Sequence, residues 1–172
     1  MGARNVLALV ERRVPRVSLE RRWLFFSRQV GGVRTHYDFA IDGKPLQLWI
    51  QEWEADSPER VTRLTESDPE SALEQINCLL SRSPHRKGTR VWLLFCPECL
   101  DEDCGGITAV LTRRDGQVMW SAFGWDADRE TENEETLPFR EAGTFSFDAA
   151  QYERVLDAAR SYFKAFRDRD GV

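Results

Sequence analysis

Two dipeptides, Asp42-Gly43 and Asp115-Gly116, each interrupt a run of alternating apolar residues, and they limit the fold more than any other feature of the chain. A tight two-residue hairpin turn needs positive φ at both central residues, which Asp tolerates and Gly adopts freely. Before the first turn Tyr37, Phe39 and Ile41 alternate with Asp38 and Ala40, and after it Leu46, Leu48 and Ile50 resume the alternation. Around the second, Ile107, Ala109 and Leu111 lead in and Val118-Met119-Trp120-Ser121-Ala122-Phe123 returns. Two β-hairpins are therefore predicted, and hairpins build antiparallel sheet. Pro45 has no N–H to give to a ladder, so the first return strand is expected to begin after it or to lie at an edge.

Helical signals complete the pattern. Asp68 is an N-cap, Pro69 suits the first helical position, and Ala72, Leu73, Ile76, Leu79 and Leu80 recur at helical spacing, which predicts a helix ending near Ser81. On that helix Cys78 lies roughly 200° around from Ile76 and points away from the apolar stripe. A last helix is capped by Asp148, with Gln151 as a capping-box partner and a stripe of Tyr152, Val155, Leu156, Ala159, Phe163 and Phe166. Val91-Trp92-Leu93-Leu94-Phe95 lacks alternation and reads as a central strand buried on both faces. The first 34 residues read as one or two added strands, with Trp23-Leu24-Phe25-Phe26 as a buried segment. The expected architecture is an α+β fold, a mainly antiparallel sheet built from β-hairpins with two packed helices, in a single domain spanning residues 1–172.

A hydrophobic content of 41% excludes a disordered chain. No apolar run approaches the roughly 18 residues of a membrane-spanning helix. Val6-Leu7-Ala8-Leu9-Val10 is cut off by Glu11-Arg12-Arg13 before it could serve as a signal core, so a cytoplasmic address is expected. The net charge of −5 is unevenly spread: residues 1–34 carry eight arginines against Glu11 and Glu20, whereas residues 126–141 carry seven acidic groups against Arg129 and Arg140. An acidic total disfavours nucleic acid as a partner, and Arg12, Arg13, Arg16, Arg21 and Arg22 read more readily as the wet face of an amphipathic element.

The chemistry of the chain is concentrated in Cys96-Pro97-Glu98-Cys99-Leu100-Asp101-Glu102-Asp103-Cys104-Gly105-Gly106, which holds three of its four cysteines. Cys96-x-x-Cys99 is the spacing at which two thiolates reach one tetrahedral zinc ion from a tight turn, and Cys104 supplies a third ligand. A fourth would have to come from Cys78, His36, His85, Asp101, Glu102 or Asp103. A redox pair is the second reading; Glu98, Asp101, Glu102 and Asp103 are expected to raise the thiol pKa values and count against it. The blander alternative is three small residues in a solvated acidic turn. No P-loop, nucleophile elbow, His-Glu-x-x-His or Rossmann glycine pattern is present. Trp120, Phe123 and Trp125 fit core packing or the rim of a binding groove.

The stretches Tyr37-Asp38-Phe39-x-Ile41-Asp42-Gly43, Cys96-Pro97-Glu98-Cys99-x-Asp101-x-x-Cys104-Gly105, Trp120-x-x-Phe123-Gly124-Trp125 and Phe145-x-Phe147-Asp148-x-x-x-Tyr152 resemble a family of small actinobacterial proteins. The resemblance covers roughly residues 35–160. Its members are sometimes loosely labelled oxidoreductases, and the resemblance implies no cofactor or activity that can be carried over. The reading of the whole is a non-enzymatic protein-interaction module, in its most concrete form an immunity or antitoxin-like protein. Glu130, Glu132, Glu134 and Glu135 would engage a basic protein partner, with Trp125 as apolar anchor. The alternative is a zinc- or thiol-dependent enzyme centred on Cys96, Cys99 and Cys104.

Overall fold

The computed structural model describes the backbone of residues 4–23, 26–80, 90–126 and 137–170, and the side chains of these apart from 14–32, 34, 137 and 170. Over the described residues the chain is an α+β fold of two antiparallel sheets and three helices. The first sheet holds β1 (Leu7–Trp23), β2 (Phe26–Ile41) and β3 (Lys44–Pro45) in that order. The added N-terminal strands are thus β1 and most of β2, a ribbon paired from Leu7 with Ile41 to Trp23 with Phe26. Trp23 and Phe26 flank the reversal of this ribbon, and the expected burial of the four-residue segment there falls on side chains outside the described residues.

The second sheet runs β4 (Arg90–Leu94), β5 (Gly106–Arg114), β6 (Gln117–Asp126) and β7 (Leu137–Pro138), with β8 (Phe145–Asp148) also paired to β6. Both predicted turns form: Asp42 and Gly43 have φ of 54° and 80°, and Asp115 and Gly116 have 51° and 72°. Among the described residues Val91–Phe95 is not a central strand. β4 ends the ladder, and Phe95 lies beyond it, hydrogen-bonded in both directions to Val61 at 3.0 and 2.6 Å. The segment around Val61 also ties the two sheets together, since Leu64 O accepts from Tyr37 N at 2.8 Å and Thr62 Oγ1 donates to Tyr37 O at 2.9 Å.

The first return strand is corrected in kind. After the two residues of β3 the chain forms α1 (Leu46–Trp53), which makes three helices among the described residues rather than the two expected. Pro45, with φ −53°, precedes the first helical residue, and Leu46, Trp49, Ile50 and Trp53 have helical spacing that the alternation of Leu46, Leu48 and Ile50 concealed. Leu46 and Ile50 are buried, whereas Leu48 is exposed.

Helix α2 (Pro69–Leu79) begins as expected, with Ser71 N donating to Asp68 Oδ1 at 3.1 Å. Helix α3 (Ala149–Asp170) starts beside Asp148, whose Oδ1 accepts from Gln151 N at 3.0 Å. The Gln151 side chain forms no capping box; its Nε2 donates to Leu7 O at 2.7 Å and so ties α3 to β1. The core joins both sheets to α2 and α3 around Trp120, Phe39, Phe147 and Tyr152. The polar atoms of its two largest side chains are satisfied: Trp120 Nε1 donates to the Tyr152 hydroxyl at 3.2 Å, which donates to Leu79 O at 3.3 Å. Among the described residues no helix is long and apolar enough to cross a membrane.

Candidate metal centre

Leu94 and Ile107 are paired across β4 and β5, so residues 95–105 leave and re-enter the second sheet at one end. Within that loop the Sγ atoms of Cys96, Cys99 and Cys104 all lie within 4.8 Å of one another, which brings together the three cysteines expected to act as ligands and can hold a metal ion. All three are free thiols, with Cys99 Sγ 3.1 Å from Cys104 Sγ.

Two reversals fold the loop onto itself. In the first, Leu100 N donates to Cys96 O at 2.9 Å, and Leu100 takes a positive φ of 57°. In the second, Gly105 N donates to Glu102 O at 2.8 Å with φ 71°. Glycine is required there twice over, because a Cβ would sit 2.7 Å from Cζ2 of Trp125. The next residue, Gly106, is equally constrained: its Cβ would meet Leu94 O at 2.2 Å.

The loop polarises its thiols in opposite directions. Desolvation raises the pKa of Cys96, but backbone N–H groups of Cys99 and Glu98, the Cys99 thiol and the Arg60 charge outweigh it and leave Cys96 lowered. The expected rise from the acidic neighbours therefore fails at Cys96, because amide donors point at its sulfur. Cys99 is pushed up to about 11, first by desolvation and then by its hydrogen bond with Cys104.

Two arginines that the sequence did not single out support this loop. Arg63 Nε donates to Leu100 O at 2.8 Å, its Nη1 lies 3.5 Å from Glu102 Oε1, and its guanidinium sits 4.1 Å above the Phe95 ring. Arg60 lies 4.7 Å above the Trp125 ring. Their only sequence signal is that they flank Val61-Thr62 in a stretch without helical or strand periodicity. Val61 and the loop's own Leu100 form a small apolar pair.

The other expected site residues are placed as follows. Cys78 is half-buried on α2 and outside the cluster; His36 is buried with Nδ1 3.1 Å from Thr62 O. Glu102 faces Arg63, while Asp101 and Asp103 are exposed. Among the described residues the cluster consists of the three cysteines alone. Trp125 is half-buried as a wall of the cysteine loop. His85, Glu130, Glu132, Glu134 and Glu135 lie outside the described residues. Comparison of the chain with protein-family models, with curated proteins and with solved structures finds no match.

Proposed function

We propose that the protein binds one zinc ion through the thiolates of Cys96, Cys99 and Cys104, and that the metal braces a surface that recognises a basic protein. The three-sulfur cluster carries the first half of this reading. Zinc bonded to sulfur at roughly 2.3 Å keeps its ligands about 3.8 Å apart, a spacing that small adjustments of these side chains reach. Soft thiolates favour zinc over hard cations such as magnesium or calcium. The lowered pKa of Cys96 makes it the first anchor, while Cys99, at about 11, gives up its proton as the ion binds. The fourth tetrahedral position takes water or a group from outside the cluster.

The second half rests on topology and charge. Residues 127–136 join β6 to β7, whose ends are held together by the pairing of Trp125 with Leu137. Gly106 pairs with Asp126, so this connection leaves the sheet beside the end of the cysteine loop. It carries Glu130, Glu132, Glu134 and Glu135, which suit electrostatic steering of a basic partner, as in an immunity or antitoxin-like protein. The zinc- or thiol-dependent enzyme is the second reading, favoured by the lowered pKa of Cys96.

Native mass spectrometry of freshly purified protein, with a thiol count after denaturation, tests the metal directly. One zinc per chain, lost in Cys96→Ser, is expected; metal-free protein with four free thiols would overturn it. Replacing the four glutamates by glutamine is expected to slow association with an identified partner without lowering stability. Unchanged association would remove the recognition half, and turnover abolished by Cys96→Ser in a folded protein would favour the enzyme.

A further inference from the structure

A cleft of about 460 Å³ opens between the base of the β1–β2 ribbon and α3. Its volume falls within the roughly 300–1,000 Å³ typical of small-molecule sites. Leu7 and Leu9 form one wall, Ala158 and Ala159 the other, and Tyr37 and Tyr162 also line it. The space exists because α3 presents alanines where larger side chains would close it against β1.

Two of the lining residues, Tyr37 and Tyr162, hold a carboxylate, Glu66, that stands just outside the lining at one end of this apolar cleft. Tyr37 OH donates to Glu66 Oε1 at 3.2 Å, and Tyr162 OH donates to the same oxygen. The two phenols stand 3.1 Å apart, and their rings meet edge to face with centroids 5.6 Å apart. Both donors converge on Oε1, so Oε2 keeps its acceptor capacity among the described residues, and no described cation pairs with Glu66. Tyr162 is 41% exposed, so the rim is open to an incoming ligand.

We propose that this cleft binds a small apolar cation, an alkyl- or arylalkylammonium. Its hydrocarbon lies between β1 and α3 and its N–H groups donate to Glu66. Apolar walls with a few convergent polar groups at one end favour an amphiphile. The carboxylate selects the sign of its head: an ammonium gains a charge-assisted hydrogen bond and the attraction of the tyrosine rings. A carboxylate ligand would meet like charge, and a neutral alcohol gains less than either electrostatic contribution offers the cation.

The probes are n-octylammonium, n-octanol and n-octanoate, titrated below micelle-forming concentrations into the isotopically labelled full chain and followed by amide NMR. Saturable shifts are expected at Leu7–Leu9 and Val155–Phe163, with octylammonium bound at least about ten-fold more tightly than octanoate. Glu66→Gln should weaken octylammonium by about ten-fold and leave octanol unchanged. Ala158→Phe, at an exposed helical position, should fill the cleft and abolish binding of every probe with the fold retained. Shifts scattered outside the cleft, no saturable binding, equal affinity for octylammonium and octanoate, or an unchanged response in Glu66→Gln would each overturn the proposal.

Discussion

Trp120 is fully buried, with the rings of Phe39, Phe147 and Tyr152 at centroid distances of 5.4, 5.3 and 6.0 Å, whereas the apolar cluster at the cysteine loop is the pair of Val61 and the loop's own Leu100. The first region is held by area removed from water, which depends little on pH, salt or metal. The second is held by backbone turns, the hydrogen bond from Arg63 to Leu100 O and the Arg63–Glu102 ion pair. Stability is not uniform across such a structure, and segments with few buried apolar contacts open first. The contrast teaches that the fold can persist while the cysteine end responds to ligands and protonation.

The hardest way to break this comparison is to empty the large core. Trp120→Ala should destabilise by roughly 3–5 kcal/mol, by the same amount with zinc or with a chelator. Urea midpoints in the two conditions check it; a strong metal dependence would show that the regions are coupled. Arg63→Ala should cost less, about 1–3 kcal/mol, because it removes a charged donor to a backbone oxygen. Hydrogen exchange should show lost protection at the Leu100 and Gly105 amides, with the amides of β5 and β6 unaffected; loss across the whole sheet would contradict the comparison.

The smallest effect is on rates within the loop itself. In chelated protein the lowered pKa of Cys96 means that its thiolate survives to lower pH than an ordinary cysteine's, while Cys99, at about 11, remains protonated at pH 8. Iodoacetamide at pH 8 should therefore label Cys96 before Cys99, and Arg60→Gln should slow labelling of Cys96. Peptide mass mapping of the first adduct decides the order, and Cys99 modified first would refute it.

Much of this was readable in the chain because its signals are local. The Asp-Gly turns, the Asp68 cap and the stripe of α3 each depend on residues a few positions apart. The return after Asp42-Gly43 reads as a strand because Leu46 and Ile50 satisfy both a two-residue and a four-residue repeat. Trp49 and Trp53 break that tie in favour of helix. The three clustered cysteines were legible from spacing, but the lowered pKa of Cys96 was not, since it depends on which amides the turn aims at the sulfur. Arg60 and Arg63 are invisible for a different reason: their partners, Trp125 on β6 for Arg60 and Phe95, Leu100 and Glu102 for Arg63, lie far along the sequence, and nothing periodic marks them.

The tether from Gln151 to Leu7 joins residues 144 positions apart, and α3 also supplies Tyr152, Leu156 and Phe163 to the core. During synthesis the first strand leaves the ribosome long before the helix that covers it. The nascent chain must hold β1 and the sheets with part of their apolar surface exposed until α3 emerges, so the core closes late in the order in which its elements are made. A ribosome stalled before residue 149 would display a chain recognisable to chaperones and proteases as unfinished.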